Sequence, residues 1–283
     1  MNNYKPKPYL RRFMKSFKDK VVWITGASSG IGKEAAIQLS KMGAKLILSS
    51  RKEKELNDLK SGLSNPASVL VLPLDLTHPE TFAEAVAKVY SQFGKVDLLF
   101  NNAGISQRSY VVDTDISVDR KLMEINYFGT VALTKAVLPR MLKAGGGHFA
   151  VVTSVVGKFG FGVRSAYSAS KHALHGFFES LYIELNKQGI EITLIAPGPI
   201  QTDISLNALD GSGKPTGEMD DMQKKGMPVD MAVNEMLHAI ANKKKEIIIG
   251  GFKEKFGVKL KSFWPKLFFK MASKQNPRGE LKM

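Results

Sequence analysis

Near-continuous apolar runs recur along this chain: VVWIT (21–25), LILSS (46–50), VLVLPL (69–74), VDLLF (96–100), HFAVVT (148–153) and EITLIA (191–196). Between them lie longer segments in which apolar side chains return every three or four residues. A strand that is apolar at nearly every position must be covered on both faces, and a helix between two such strands carries the chain back to start a parallel neighbour. The pattern therefore predicts an α/β fold, a doubly wound parallel sheet of about seven strands with helices on both faces. The expected strands are 20–25, 45–50, 69–74, 96–100, 147–153, 190–196 and 245–249, and the expected helices 31–43, 53–62, 79–93, 118–144, 165–187 and 229–242. With 283 residues, 43% of them hydrophobic, the chain can bury the core that one such domain needs. The domain is expected over 20–250, between a basic extension (1–19) and a basic, aromatic tail (251–283).

The first expected strand runs into TGASSGIG (25–32). Glycines at 26, 30 and 32 let the backbone turn sharply and approach a pyrophosphate, which the first N–H groups of the following helix can bind. The spacing is G-x-x-x-G-x-G, and its position between strand and helix gives it weight. Gly26, Ser28, Ser29, Gly30, Ile31 and Gly32 are the candidate dinucleotide contacts here. The second strand ends SSRK (49–52), where an acid would favour a free ribose 2′-hydroxyl. Ser50 and Arg51 instead can bond and neutralise a 2′-phosphate, so the expected cofactor is NADP(H). The alternative is that Arg51 merely begins a solvated helix. Asp75 and Leu76, in LDL, and Asn101, Asn102, Ala103 and Gly104, in NNAG, follow the third and fourth strands, where ligands gather in open α/β sheets.

In AYSASKHAL (166–174) Tyr167 and Lys171 stand four positions apart, on one face of an expected helix. An ammonium beside a phenol favours the phenolate and lowers its pKa. Taken alone, that spacing falls by chance on many helices. Ser154 ends a strand, thirteen residues before Tyr167. His172 and His175 follow on the same helix and suggest neither a triad nor a metal site. There is no cysteine, which removes thiolate chemistry, and no metal ligand set is expected.

TGASSGIG, NNAG, YSASK and PGPIQT, in this order, resemble the motifs of the classical short-chain dehydrogenase/reductase family over about 20–250. LSSRKEKEL, ISQRSYVVDT and SKHALHGFF look most like the branch containing 11β-hydroxysteroid dehydrogenase. The resemblance implies a Rossmann-type fold, an enzyme interconverting a carbonyl and an alcohol, and a catalytic set of Ser154, Tyr167, Lys171 and Asn126, the last in EINYFGT. It implies that Lys171 holds the nicotinamide ribose, that Asn126 holds a water linking Lys171 to solvent, and that Asp75 contacts the adenine. Pro197, Gly198 and Ile200 would lie along the nicotinamide, with Thr202 bonding its carboxamide or a phosphate; the prolines could equally be simple turn formers. Many NADP-binding members carry Lys or Arg where this chain has Ser29, so the preference for NADP rests on Arg51. Membrane-associated relatives begin with an apolar anchor, whereas this sequence begins MNNYKPKPYLRRFMKSF, and a spanning anchor is not expected.

Substrate selectivity is expected from 155–164 (VVGKFGFGVR) and from a lid over 201–228 carrying Met219, Met222 and Met227. Phe159, Phe161 and these methionines would line an adaptable apolar pocket for a ketone or aldehyde of steroid, retinoid or lipid type, or else cap the core. The net charge of +15 is concentrated in the tails: residues 1–20 carry seven basic side chains against Asp19, and 251–283 carry nine against Glu254 and Glu280. A near-neutral body does not read as a nucleic-acid groove. From Pro265 onwards the tail has helical spacing of Phe263, Trp264, Leu267, Phe268 and Met271 with Lys266, Lys270 and Lys274 between them. It would dock on the protein's own pocket or on a second subunit, or rest on an anionic membrane. A homodimer or homotetramer built on helices 118–144 and 165–187 is expected, in the cytoplasm or peripherally at a membrane. A rival reading from another class is a dinucleotide-binding sensor or scaffold without turnover, its tails binding membrane or nucleic acid.

Overall fold

The computed structural model describes residues 16–274; residues 1–15, most of the basic N-terminal extension, and 275–283 lie outside them. The strands are β1 (Val21–Thr25), β2 (Lys45–Ser49), β3 (Val69–Val71), β4 (Leu98–Asn101), β5 (Gly147–Val152), β6 (Ile190–Pro197) and β7 (Glu246–Ile249). The helices are α1 (Gly30–Lys41), α2 (Glu53–Ser61), α3 (Phe82–Phe93), α4 (Ile116–Met123), α5 (Gly129–Lys143), α6 (Ser165–Leu185), α7 (Asp221–Lys224), α8 (Val229–Ala241), α9 (Phe252–Phe263) and α10 (Pro265–Ala272). All seven strands are parallel, in the order β3-β2-β1-β4-β5-β6-β7. The doubly wound sheet expected from the apolar runs is therefore the fold.

All five residues of β1 are buried, and the two-residue period of a strand divides them between two cores. Val22 and Ile24 pack with Leu39 of α1 and Val233 and Met236 of α8. Val21 and Trp23 pack on the other face with Val86 and Val89 of α3, Leu133 and Val137 of α5, and Phe178 of α6. Trp23 Nε1 donates to Ser49 Oγ at 2.9 Å, satisfying the one polar atom this large side chain buries.

Several elements differ from the periodicity, among them the short α7 within the expected lid. The third strand stops at Val71, before Pro73, which has no N–H to give a ladder. The helix expected over 118–144 is divided by a π-helical turn, Glu124–Phe128, which inserts a residue and turns Asn126 fully inward. Gly129 follows it because a Cβ there would strike the Leu76 carbonyl oxygen. Beyond β7 the chain forms α9, which was not expected, and then α10, whose first residue is Pro265 as its sequence implied.

Candidate active site

Strand order reverses between β1 and β4, so the loops after these strands part and leave a crevice at their carboxyl ends. The glycine-rich turn forms one wall of it. Gly26 has φ +66° and Gly30 φ +51°, a region that favours glycine. A Cβ on Gly26 would lie 2.9 Å from Ala103 Cα, and one on Gly32 would collide with the Gly26 carbonyl. Asn102 locks the turn: its Nδ2 donates to Thr25 O at 3.0 Å, and Asn102 N and Ala103 N donate to Thr25 Oγ1 at 3.0 and 3.1 Å. Ser29 stands just before α1 in extended backbone, its side chain making no cap, beside half-buried Ser28. The first turn of α1 holds no acidic residue, so its N–H groups face the crevice without an opposing charge. Thr202 lies opposite, its Cγ2 3.2 Å from where a Cβ on Gly30 would be. A backbone cradle that side chains would fill, at an uncapped helix N-terminus, fits a dinucleotide pyrophosphate.

At the β2 end, Ser50 Oγ accepts Lys52 N at 3.1 Å and Arg51 is exposed. Asp75 Oδ1 accepts Thr77 N and Thr77 Oγ1 at 3.0 and 2.9 Å. Partial burial opposes ionisation of Asp75, but the Thr77 bonds and the charges of Arg51 and His78 hold its carboxyl below the usual range. Leu76 is buried against Gly129, a packing position at the floor of this region.

The four expected catalytic residues come from three elements and meet. Ser154 follows β5, its Oγ 3.3 Å from Pro197 O. Tyr167 and Lys171 lie on α6, with the Lys171 Nζ 5.8 Å from the Tyr167 ring centroid. Lys171 is buried and donates to Val152 O at 2.9 Å; burial draws its pKa down to about 8. Asn126 accepts Ile105 N at 2.8 Å and donates to Ile105 O and Ser170 Oγ, both at 3.0 Å, which fixes the loop after β4 against α6. Gly104 fits between two of them: a Cβ there would be 3.0 Å from Asn126 Oδ1 and 3.4 Å from Lys171 Nζ.

Burial pushes the Tyr167 phenol up, and the influences that offset it are the Arg164 charge and a hydrogen bond with Ser154. The Lys171 ammonium, expected to lower the phenol, donates to the Val152 carbonyl while standing 5.8 Å from the Tyr167 ring centroid.

Ser154, Tyr167 and Lys171 line a cavity of about 590 Å³ together with Ile31, Asn102 and Gly104, and with Pro197, Gly198, Ile200 and Thr202. Gly198 N donates to Ile249 O at 2.8 Å, and Gln223 bonds both Ile200 O and Thr202 Oγ1. The lid expected over 201–228 is ordered by these bonds and by bridges from Leu209 to Gln107 and Pro215. Phe159, Phe161 and Met222 line the cavity, whereas Met227 packs on the core and Met219 accepts Ser205 Oγ at 3.1 Å. The C-terminal helices supply part of the wall: Phe268 and Met271 of α10, in the tail for which docking on the pocket was one expectation, and Phe252, Phe256 and Leu260 of α9, which the sequence reading missed. Their signal was present, since Phe252, Phe256 and Leu260 recur every four residues. Arg164 also lines the cavity and was not singled out.

Comparison with known proteins agrees with this geometry. The family model of the short chain dehydrogenases matches residues 20–211. A Drosophila melanogaster dehydrogenase/reductase SDR family protein 7-like is 42% identical over 270 residues, covering 94% of this chain and 83% of its own. A short-chain dehydrogenase/reductase of Burkholderia phymatum, solved with NAD, superposes with a TM-score of 0.79 over 95% of this chain and 99% of its own; at 23% identity it shows the fold. One from Burkholderia cenocepacia, solved with NADP, is 25% identical with a TM-score of 0.75 over 90% and 98% of the two chains. With a family model matched over residues 20–211 and a relative 42% identical over 94% of this chain, the chain belongs to the short-chain dehydrogenase/reductase family of NAD(P)-binding oxidoreductases.

Proposed function

We propose that this protein uses NADP(H) to interconvert an apolar ketone or aldehyde, of steroid, retinoid or lipid type, with its alcohol. The observation that carries this reading is the convergence of Ser154, Tyr167 and Lys171 on a cavity whose wall includes Phe159, Phe161, Phe252, Phe256, Leu260 and Phe268. The glycine-rich turn, Thr202 and the N-terminus of α1 would hold the dinucleotide, which when bound supplies or takes up the hydride at the carbonyl carbon. Ser154 Oγ donates to the substrate oxygen, orienting it and stabilising its developing charge. Tyr167 gives its phenolic proton to that oxygen, and in the reverse direction takes it back. Lys171 offers positive charge to the phenolate and would hold the ribose of a bound dinucleotide. Asn126 holds the Ile105 backbone and Ser170 in place, keeping the wall beside Lys171 fixed and serving the proton path behind it. The aromatic wall excludes water from the reacting oxygen.

Exposed Arg51 beside Ser50, with no acid at the end of β2, supports NADP over NAD. A pure sensor would have no use for the catalytic set, which disfavours the non-enzymatic alternative. Exposed Phe128 beside α5 and Ile183 on α6 support a two-fold dimer through these helices. Phe268 docks on the protein, but Phe252, Phe263, Trp264 and Phe269 stay exposed among the lysines of α9 and α10. That basic, aromatic surface over the cavity mouth supports peripheral contact of a cytoplasmic enzyme with an anionic membrane. No helix among the described residues is long and apolar enough to cross one.

The deciding experiment follows NADPH absorbance with a panel of ketones and aldehydes. Turnover of apolar carbonyls is expected; NADPH binding without turnover of any of them would favour the sensor.

A further inference from the structure

The lid turns an amide into the cavity. Gln223 of α7 is buried and lines the cavity that holds Ser154 and Tyr167. Its Nε2 donates to Ile200 O and, at 3.3 Å, to Thr202 Oγ1. A carbonyl oxygen can only accept, so the NH2 end of the amide is the end that faces it. Thr202 Oγ1 closes a triangle by donating to Ile200 O at 3.4 Å. A carbonyl oxygen has two lone pairs and a hydroxyl has one proton, so the triangle is complete: Ile200 O accepts twice, the Thr202 proton is given, and so are both protons of the Gln223 amide. A further amide reaches these acceptors only by replacing that of Gln223.

Where the triangle stands gives it meaning. Thr202 lies beside the glycine-rich turn, its Cγ2 3.2 Å from where a Cβ on Gly30 would be. At the other end of the same segment, Pro197 O accepts Ser154 Oγ at 3.3 Å. Residues 197–202 therefore run from the pyrophosphate cradle to the catalytic serine. With the pyrophosphate on the cradle and the reactive carbon beside Ser154 and Tyr167, the nicotinamide half of a dinucleotide has to lie along them. That half carries one carboxamide, a primary amide like that of Gln223, and Ile200 O and Thr202 Oγ1 accept from the lid the two N–H bonds that a carboxamide has to give.

The rest of the lid is held without this amide. Before α7, Asp220 Oδ2 accepts Arg164 Nη2 at 2.9 Å. After it, Gln201 N donates to Met227 O and Met227 N to Pro199 O, both at 3.0 Å, and Gln201 Nε2 donates to Lys224 O at 3.0 Å. The Gln223 side chain can leave the triangle while the lid backbone on either side of it stays bonded.

We propose that Gln223 is an internal competitor for the carboxamide site: the amide of the lid and that of the cofactor exchange places on Ile200 O and Thr202 Oγ1, which lowers affinity for the dinucleotide and eases its release. The inference rests on the reading of this cavity as an NADP(H) site, and its test reads binding, not turnover. NADP⁺ and 2′-phospho-ADP-ribose, which ends at the ribose and has no carboxamide, are titrated by calorimetry into the full chain. In Gln223→Met, which keeps the length of the side chain without its donor, the NADP⁺ dissociation constant is expected to fall about tenfold, while that of 2′-phospho-ADP-ribose stays within about twofold of wild type. Gln223→Ala, which opens the triangle in the same way, replaces Gln223→Met if that variant does not fold. Unchanged NADP⁺ affinity, or an equal gain for both ligands, overturns the proposal. Weaker binding of NADP⁺ by the variant would mark Gln223 as a support for Thr202 and overturn it as well. If the wild type binds neither ligand, the cofactor reading fails and takes this inference with it; if it binds both and the variant does not differ, only this inference fails.

Discussion

The ring of Phe268 in α10 lies 5.1 Å from that of Phe159 in the loop after β5, the planes inclined at 54°. This contact fastens the C-terminal helices to the substrate loop and makes them part of the cavity wall. Phe268→Ala opens the wall at that point. KM for apolar carbonyls is expected to rise several-fold with kcat nearly kept, in steady-state kinetics. Urea unfolding should show a loss near the lower end of the about 3–5 kcal/mol typical of buried phenylalanine, because one side of the ring already faces the cavity.

Tyr167→Phe keeps the ring and removes the proton. A loss of kcat of about 10²–10⁴-fold is expected, with the NADPH dissociation constant within about twofold of wild type. Fluorescence titration alongside initial rates separates the two. Wild-type turnover by the phenylalanine variant would remove Tyr167 from the mechanism.

Ser50→Asp places a carboxylate at the end of β2, beside Arg51. It should repel a 2′-phosphate and bond a free hydroxyl, so the ratio of NADPH to NADH affinity is expected to fall below one. Calorimetric titration of both cofactors against wild type and variant reads this directly. Equal affinity of the wild type for the two would defeat the assignment of Arg51.

Burial holds Lys171 near pH 8 against an ordinary 10.5. A base with a depressed folded pKa destabilises the fold fully below that value, and the cost fades as pH rises through the folded towards the unfolded pKa. Lys171→Met removes the cost. The stability of the variant relative to wild type should therefore be about 2–3 kcal/mol more favourable at pH 7 than at pH 10, by chemical denaturation at both. A pH-independent difference would show that Lys171 is not buried as a charge.

His175 is buried in α6, and neither of its ring nitrogens has a hydrogen-bond partner. Burial first, then the charges of Lys158, His172 and Lys171, lower its pKa to about 3. The unfolded chain takes up a proton near pH 6.5 that the folded one refuses, so stability falls as pH drops from there towards 3. In His175→Leu that loss should be smaller by about 2 kcal/mol at pH 5 relative to pH 7.5. Identical acid sensitivity of wild type and variant would contradict the burial.

Much of this protein is written locally. Runs such as VVWIT and EITLIA demand cover on both faces wherever they are placed, and helices between them favour a parallel sheet, so the fold class followed from the sequence. The glycines at 26, 30 and 32 and the Tyr167–Lys171 spacing mark the site in the same way, because the backbone and a single helix turn carry the constraint. The π-helical turn at Asn126 was invisible because its cause lies elsewhere, in the Leu76 carbonyl against Gly129 and in the Ile105 backbone that Asn126 must satisfy. Likewise the pairing of Lys171 with Tyr167 on one helix face was legible, but not that the lysine's ammonium donates to the Val152 carbonyl, nor that Arg164, at the start of the same helix, is held by an aspartate fifty-six residues away. Charge and burial depend on distances through space, and those exist only once the lid, the loop after β4 and α6 have packed together.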